Sequence, residues 1–263
     1  SLDKHFFYVK IYFNVEESIL NIKGLTKNFV TGSFFKKRII RAVDNLNLSI
    51  DKGEIFGLLG PNGAGKTTTL NMIVGFSTPT SGEVELFGQK VTPGNINIRS
   101  KIGYLPESPY LPEYLSVGEF LNFYAGLFGL AANARKERIQ MLLETVGLED
   151  KRNQRIKTLS IGQKRSLNLA GALINDPKML ILDEPTVYLD PIILERVRSI
   201  ILKLKQEAKT ILISSHMLSE VERLCDRIAI IHQAHLVRQA NREEFKAAGS
   251  LDDIFLSSIK EAK

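Results

Sequence analysis

The chain of 263 residues contains a single cysteine, Cys225. One cysteine cannot close a disulfide within the chain and cannot supply a cysteine-based zinc site. Such sparse use of cysteine is typical of proteins of the reducing cytoplasm. The composition therefore argues against a disulfide-stapled secreted domain, and we interpret Cys225 as a small apolar residue.

The sequence also lacks a long, uncharged apolar run. The most apolar stretch, residues 115–134, contains Glu119, Asn122 and three glycines. A transmembrane helix needs about 20 predominantly apolar residues with few or no charges. Residues 1–17 carry dispersed charges and no small-residue cleavage site, unlike a secretory signal peptide. We expect a soluble helix in 115–134 and no membrane span.

The charge balance is mildly basic, with 35 Lys and Arg against 29 Asp and Glu, a formal net charge of +6. The basic residues form short separate clusters at 36–38, 135–136 and 151–152. A nucleic-acid-binding surface would require a more continuous basic stripe. We therefore expect solvated basic faces and no nucleic-acid partner.

The hydrophobic pattern predicts an α/β fold. Residues 18–24 and 46–50 alternate apolar and polar side chains, which is typical of half-buried antiparallel strands. Continuous apolar runs, which suit buried parallel strands, occur at 54–59, 179–182, 211–213 and 228–231. Helical patterns lie between them, notably at 162–174 and 192–207.

We divide the chain into three segments. They are an N-terminal extension (1–17), a main domain (18–241) with a helical insert at about 104–174, and a short helical tail (242–263). In the insert, we predict one apolar helix face from Phe120, Phe123, Leu127 and Leu130 and a second from Leu121, Tyr124, Ala125 and Phe128. Periodicity alone leaves open whether the second face is buried or binds a partner.

The most specific motif directly follows the apolar run 54–59 and precedes a helical pattern at 68–74. It reads Gly60-Pro61-Asn62-Gly63-Ala64-Gly65-Lys66-Thr67, followed by Thr68. This is the G-x-x-x-x-G-K-[ST] phosphate loop in its strand–loop–helix context. Its backbone N–H groups and helix N-terminus cradle phosphates. Lys66 is expected to reach the β- and γ-phosphates, and the Thr67 hydroxyl to coordinate Mg²⁺.

A second motif ends the apolar run 179–182 with two adjacent carboxylates, Asp183 and Glu184. Ligands of open parallel sheets bind at the carboxyl ends of the strands. Asp183 is therefore expected to hold Mg²⁺ through a water, and Glu184 to accept a proton from an attacking water.

Leu159-Ser160-Ile161-Gly162-Gln163 precedes the acidic strand by one helix, and Asp190 and Ser215-His216 follow it. In this order and approximate spacing, the set resembles the signature, D-loop and switch-histidine motifs of the ATP-binding cassette (ABC) family. The phosphate loop and the acidic strand resemble that family's Walker A and Walker B motifs. The resemblance covers residues 19–242. It implies a P-loop NTPase core with a parallel sheet, an antiparallel β subdomain and an inserted helical subdomain.

The resemblance implies an ATP hydrolase that works as a head-to-tail pair, either with a second copy or with a related ATPase subunit. The phosphate loop, Thr68 and Phe29, which takes the place of the adenine-stacking aromatic, would bind ATP. Across the interface, ATP would meet Ser160, Gly162, Gln163 and Asp190. Lys66, Glu184 and His216 are expected to be catalytic, and Thr67, Asp183 and Glu107 to hold Mg²⁺.

Ile161, Tyr188 and Glu107 depart from the usual family pattern. Glu107 belongs to the segment Gly103-Tyr104-Leu105-Pro106-Glu107, which with 251–255 resembles a branch of bacterial exporters. This resemblance implies a subunit at the cytoplasmic face of the membrane that drives export through a separate transmembrane permease, whose cytoplasmic helix would dock near Glu107 and the insert.

Two alternatives remain at this point. One is a soluble ABC ATPase that is not coupled to transport and acts on DNA, ribosomes or iron–sulfur assembly. The long coiled-coil or zinc insertions of DNA-repair members are missing from this sequence, which has one cassette where ribosome-acting members have two. The other is an ATP sensor without hydrolysis, against which Glu184 and His216 argue.

Overall fold

The computed structural model describes residues 18–32, 37–108, 110–187, 189–247 and 249–261. The extension predicted at 1–17 and the departure at Tyr188 lie outside these ranges. The strands are β1 (Ser18–Thr31), β2 (Arg38–Asp51), β3 (Ile55–Leu59), β4 (Ser81–Leu86), β5 (Gln89–Lys90), β6 (Ile102–Leu105), β7 (Met179–Asp183), β8 (Thr210–Ser215), β9 (Arg227–His232) and β10 (His235–Asn241). The helices are α1 (Lys66–Ile73), α2 (Ile96–Arg99), α3 (Val117–Leu127), α4 (Ala132–Val146), α5 (Ile161–Ala172), α6 (Pro191–Gln206), α7 (Leu218–Leu224), α8 (Arg242–Ala247) and α9 (Leu251–Glu261).

The larger of the two described sheets has the strand order β10-β9-β3-β8-β7-β6. Its strands are parallel except for β10, which pairs antiparallel with β9. β3 and β7 are buried along their whole length because both sheet faces are covered. Successive residues of β3 serve different cores: Ile55 packs with the helices, whereas Phe56 packs with the smaller sheet. The prediction of buried parallel strands is confirmed.

The smaller sheet is antiparallel, with the order β2-β1-β4-β5. β1 and β2 extend well beyond the predicted segments 18–24 and 46–50 and form a long hairpin. Its inner residues, such as Leu20 and Ile50, are fully buried, whereas Val30 and Ile39 near the hairpin end are exposed. The alternation fades toward the hairpin end, so it predicted only the packed half of each strand.

The helical part of the chain comprises α3, α4 and α5, which pack against one another. Helix α3 corrects the predicted division into two apolar faces. Its buried stripe runs through Val117, Phe120, Leu121 and Ala125, which combines members of both predicted faces. These positions follow the i, i+3, i+4, i+8 spacing of a single helix face. Phe123 and Leu127 lie outside the stripe and are exposed.

Helices α8 and α9 close the C-terminal part of the described chain. Phe245, Leu251 and Ile254 insert into the core beside β9 and β10. At the other boundary, β6 carries Tyr104 and Leu105 into the parallel sheet, although both belong to the segment predicted as the insert. The sheet therefore reaches two residues into that segment, and the division of the chain into segments stays a prediction.

Candidate functional site

The phosphate loop joins β3 to α1 and lies against two neighbouring strands. A Cβ atom on Gly60 would stand 2.3 Å from the carbonyl oxygen of Ile231, and one on Gly65 would stand 2.2 Å from that of Ala42. Gly65 also has φ 110°, a left-handed conformation that favours glycine. This turn lets α1 begin at Lys66, two residues earlier than predicted.

The loop has a further backbone support in the turn between β9 and β10. Ala234 donates its N–H to the Ala64 carbonyl (3.3 Å), and its own carbonyl accepts from the N–H of Asp44 (2.9 Å). One residue of this turn thus connects the phosphate loop to β2 of the smaller sheet.

A pocket of about 360 Å³ opens above the loop, which is within the usual size range of small-molecule sites, about 300–1,000 Å³. Its lining consists of Ala42, Pro61, Asn62, Gly63, Ala64, Gly65, Lys66, Thr67, Thr68, Glu107 and Glu184. The structure therefore brings most predicted phosphate-binding residues together with two of the predicted carboxylates.

Lys66 is folded back into this pocket, with only 7% of its side chain exposed. Its Nζ donates to the carbonyls of Gly60 (2.7 Å) and Pro61 (3.4 Å) and lies 3.3 Å from Oε1 of Glu184. The ammonium is thus held near the loop by oxygen atoms. Phosphate oxygens of a ligand would provide the same kind of charge-assisted contact.

Glu184 is buried and has a left-handed backbone with φ 49°. Such a conformation costs a non-glycine residue about 1–3 kcal/mol and persists only where neighbours enforce it. Its N–H donates to the carbonyl (3.1 Å) and to Oγ (3.2 Å) of Ser214, and its carbonyl accepts from Arg165. Strain of this kind, maintained by hydrogen bonds, is typical of functional sites.

The Glu184 carboxylate faces two cationic or potentially cationic groups. Oε1 lies 3.0 Å from Nδ1 of the half-exposed His216 as well as 3.3 Å from Lys66, but neither approach has hydrogen-bond geometry. Oε2 accepts the backbone N–H of His216 at 3.4 Å. Glu184 therefore lies between Lys66 and His216 in the lining of the phosphate pocket.

Asp183 is fully buried at the end of β7. Its Oδ1 accepts from the Ser214 hydroxyl, whereas Oδ2 is buried without a hydrogen-bond partner among the described residues. A buried carboxylate oxygen without a partner is costly unless a ligand or ordered water completes it. Asp183 thus has the free acceptor that a hydrated cation requires.

The predicted signature residues lie elsewhere on the surface. Ser160 caps α5 in a reciprocal arrangement: its Oγ accepts from the N–H of Gln163 (3.2 Å), whose Oε1 accepts from the N–H of Ser160 (3.0 Å). Ser160 is exposed, and the neighbouring Ile161 is 72% exposed. The start of α5 therefore faces outward, and none of its residues lines the phosphate pocket.

Two further predicted residues lie outside the pocket lining. Asp190 caps α6 by accepting the N–H groups of Ile192 and Ile193, both at 3.0 Å, close to the start of α5. Phe29 lies near the hairpin end opposite Ile40, partly exposed, with Lys27 Nζ 5.2 Å from its ring centroid. An exposed aromatic face of this kind is available for stacking.

The sequence interpretation missed three contributors to the site: Arg165, Ser214 and Ala42. Ser214 directly precedes the predicted Ser215-His216 pair and bonds both acidic residues. Arg165 is a charged residue three positions after Gly162 on the inward face of α5. A charged residue on the buried face of a helix, one turn after Gly162, is the sequence signal that could have identified Arg165.

A second concavity, which we call the insert groove, lies between α3, α5 and β6. It has a volume of about 450 Å³, and its lining includes six aromatic residues: Phe76, Tyr104, Tyr110, Phe120, Tyr124 and Phe128. Arg99, Asn168 and Asn175 supply polar groups at its wall. Among the described residues, no helix combines the length and apolar character that crossing a bilayer requires.

Comparison with known proteins places these features in a family. The ABC transporter family model matches residues 43–187. An uncharacterised ABC transporter ATP-binding protein of Nostoc sp. is 43% identical over 239 residues, which cover 90% of this chain and 68% of that protein. The Nod factor export ATP-binding protein I of Cupriavidus metallidurans is 41% identical over 206 residues, covering 77% and 67%. The chain thus spans about two thirds of the length of these relatives.

Solved structures agree with the sequence relatives. An ATP-binding subunit of an ABC transporter superposes with a TM-score of 0.80 at 27% identity, covering 92% of this chain and 99% of that one. A dimeric ATP-binding cassette in a post-hydrolysis state, with ADP and Pi bound, superposes with a TM-score of 0.78 at 28% identity, covering 85% and 98%. This chain therefore belongs to the ABC transporter family and carries its ATP-binding, ATP-hydrolysing domain.

Proposed function

We propose that this chain is the ATP-hydrolysing subunit of an exporter, that it works as a head-to-tail pair of ATPase subunits, and that a separate transmembrane subunit carries the substrate. The observation that carries the pairing is the position of the signature residues. Ser160 and Ile161 start α5 at an exposed surface, outside the phosphate pocket of their own chain.

The start of α5 has the properties of an anion site. A helix N-terminus presents unpaired N–H groups and the positive end of the helix dipole. The Ser160 hydroxyl accepts from Gln163, which leaves its own hydrogen free to donate. In the proposed pair, Ser160, Gly162, Gln163 and Asp190 of one chain approach the γ-phosphate held by the other. The dimeric relative with ADP and Pi supports this arrangement.

On the phosphate side, residues 60–68 bind the triphosphate through backbone N–H groups, the Lys66 ammonium and the threonine hydroxyls. Lys66 exchanges its contacts with Gly60 and Glu184 for the β- and γ-phosphates. Phe29, at the edge of the hairpin, stacks on adenine. With the phosphates on the loop and adenine on Phe29, the γ-phosphate would face outward, toward α5 of the partner.

Magnesium would offset the negative charge of the phosphates. The free Oδ2 of Asp183 fits a hydrated cation, and Thr67 and Glu107 line the phosphate pocket. Among the described residues, no three His, Cys, Asp or Glu side chains form a metal site on their own. Phosphate oxygens would therefore complete the coordination, so we expect the cation to enter with the nucleotide.

For hydrolysis, Glu184 acts as the general base. A water between its carboxylate and the γ-phosphate transfers a proton to Glu184 as it attacks the γ-phosphorus. The bond from that phosphorus to the β,γ-bridging oxygen breaks, and ADP leaves with the bridging oxygen. The His216 side chain, whose Nδ1 lies 3.0 Å from the same carboxylate, is placed to contact the γ-phosphate. The backbone N–H of His216 restrains the second carboxylate oxygen.

The insert groove is the proposed docking site of a cytoplasmic helix from the transmembrane subunit, at the cytoplasmic face of the membrane. Of its aromatic residues, Phe76, Tyr110 and Phe128 are exposed. The lining also includes Pro106, next to Glu107 of the phosphate pocket. A helix bound there would touch the same segment that supplies Glu107. A relative named as an export ATP-binding protein supports the direction of transport.

The Glu184→Gln variant tests the ATPase half of the proposal. The amide keeps the shape of Glu184 but cannot accept the proton, so ATP should bind and trap a dimer. We expect ATP- and Mg²⁺-dependent dimers on size-exclusion chromatography and a turnover reduced at least 100-fold. Glu137→Gln, on the exposed face of α4, is the matched control. Normal turnover in Glu184→Gln would remove Glu184 from the general-base role.

A second experiment tests docking in the insert groove. Tyr110 lines the groove and is 85% exposed, whereas Tyr114 is 71% exposed and lies outside it. Tyr110→Glu should abolish co-purification with the membrane subunit in mild detergent and uncouple transport, with ATPase activity of the isolated chain unchanged. Tyr114→Glu should leave all three intact. Retention of the membrane subunit by Tyr110→Glu would exclude the groove as its docking site.

A further inference from the structure

Arg165 lies one turn into α5 and is buried beneath the site. Its Nη2 donates to the backbone carbonyls of Asp183 (3.0 Å) and Glu184, and its Nη1 donates to those of Pro106 (3.2 Å) and Glu107. One guanidinium therefore binds the ends of two strands, β7 and β6, from a third element. Burial lowers the pKa of Arg165, whereas Asp183, Glu107 and Glu184 oppose this effect.

The contacts fix backbone rather than side chains. Glu184 has a left-handed backbone that needs support from its neighbours, and Arg165 binds its carbonyl while Ser214 binds its N–H. The peptide groups on both sides of Glu184 are thereby restrained. At the other end of the fork, Arg165 restrains the peptide that leads from Pro106 into Glu107.

We propose that Arg165 is a positioning residue for hydrolysis, which holds Glu184 and Glu107 at the phosphate pocket from the helix that starts with the signature residues. Arg165 is not among the residues that line the phosphate pocket. Because Ser160 caps the helix that carries Arg165, a displacement of the start of α5 by a partner's nucleotide would reach the backbone of Glu184. This inference rests on the proposed roles of Glu184 and the composite site.

Only an arginine matches this set of acceptors. A planar guanidinium presents donors on two separate nitrogens in a fixed fork, whereas a lysine ammonium donates from a single atom. Arg165→Lys keeps the charge but cannot reach the carbonyls of both strand ends together. The Arg165→Lys variant therefore distinguishes the effect of the guanidinium geometry from the effect of the positive charge.

The test compares Arg165→Lys with Arg155→Lys, a matched change at an exposed arginine that pairs with Glu119. Thermal unfolding, ATP affinity and steady-state turnover are measured for both. We expect Arg165→Lys to lower kcat at least tenfold with an ATP Kd within threefold of the parent chain, and Arg155→Lys to change neither. A kcat within twofold of the parent in folded Arg165→Lys would overturn the inference. If Arg165→Lys does not fold, Arg165→Gln is measured by the same criteria.

A double variant separates positioning from general destabilisation. If Arg165 acts through Glu184, adding Arg165→Lys to Glu184→Gln should change the residual single-turnover rate by less than twofold. A further tenfold fall would show that Arg165 acts mainly through groups other than Glu184 and would overturn its role in positioning that carboxylate. Normal turnover in Glu184→Gln alone would instead count against the proposed general base, while the kcat of Arg165→Lys would still decide whether Arg165 matters.

Discussion

At the scale of single residues, the phosphate pocket already contains opposed charges. The Lys66 ammonium lies against the carbonyl of Gly60 and close to the Glu184 carboxylate, and His216 adjoins the same carboxylate. Removing one partner of a buried charged pair usually costs more than the pair contributes, since the other charge is left uncompensated. Substitutions of these residues should therefore alter ligand binding and also the contacts within the ligand-free pocket.

Replacing Lys66 with Ala should weaken ATP binding. The change removes charge-assisted hydrogen bonds to phosphate worth about 1.5–3 kcal/mol each, which corresponds to a Kd roughly 10- to 100-fold higher for one such bond. Titration calorimetry with Mg-ATP measures the effect. Lys52→Ala, at an exposed turn, should bind like the parent chain. Equal affinity in both variants would mean that Lys66 does not contact the phosphates.

At the scale of elements, the starts of α5 and α6 are packed together. A Cβ atom on Gly162 would lie 2.4 Å from Cδ1 of Ile193, and Asp190 caps α6 at the same junction. The signature helix therefore rests on the helix that follows the acidic strand. A side chain at Gly162 would require the tip of the Ile193 side chain to move away.

Gly162→Ala should lower stability and turnover together. Overpacking typically costs about 1–3 kcal/mol. Because the clash is with the tip of the Ile193 side chain and alanine favours a helix more than glycine does, the cost should lie at the low end of this range, with a small fall in melting temperature. The Ile193→Ala background removes the clashing atom, so Gly162→Ala should cost clearly less there. Thermal unfolding and ATPase assays of the four chains give the coupling between the two sites. Equal costs in both backgrounds would contradict this packing explanation.

The same elements mark what the sequence could and could not predict. The apolar runs that became β3, β7, β8 and β9 were found because parallel strands covered on both faces leave an unbroken signal. The buried stripe of α3 was mispredicted because periodicity does not record which neighbours pack against a helix. Arg165 was missed for a related reason: its four carbonyl partners lie 18 to 59 residues away along the chain.

At the scale of the whole molecule, the proposed site needs two chains. Within the described residues, the start of α5 lies outside the phosphate pocket. The match to the ABC transporter family, residues 43–187, includes both the phosphate loop and the signature residues. If ATP binding closes such a pair and ATP hydrolysis opens it, the reaction would drive a conformational change of the dimer. A complementation experiment distinguishes this arrangement from a self-contained site.

Two inactive variants should restore activity when mixed. Lys66→Ala disables the phosphate half, and Ser160→Asp keeps a good helix cap but places a carboxylate where the γ-phosphate would lie. Each mixed dimer contains one intact site, made by the unaltered halves of the two chains. We expect negligible phosphate release from either variant alone and clear release from the equimolar mixture. A mixture as inactive as its components would contradict the head-to-tail pairing.

The turn at Ala234 has a consequence for the thermodynamics of binding. It fastens the Ala64 carbonyl on one side and the N–H of Asp44 on the other, while Gly60 and Gly65 sit against strand carbonyls. The loop is thus preorganised, so binding a ligand does not carry the free-energy cost of ordering the loop backbone. The main rearrangement left for ATP is the swing of one side chain, Lys66, so affinity here should depend on charge exchange more than on loop closure.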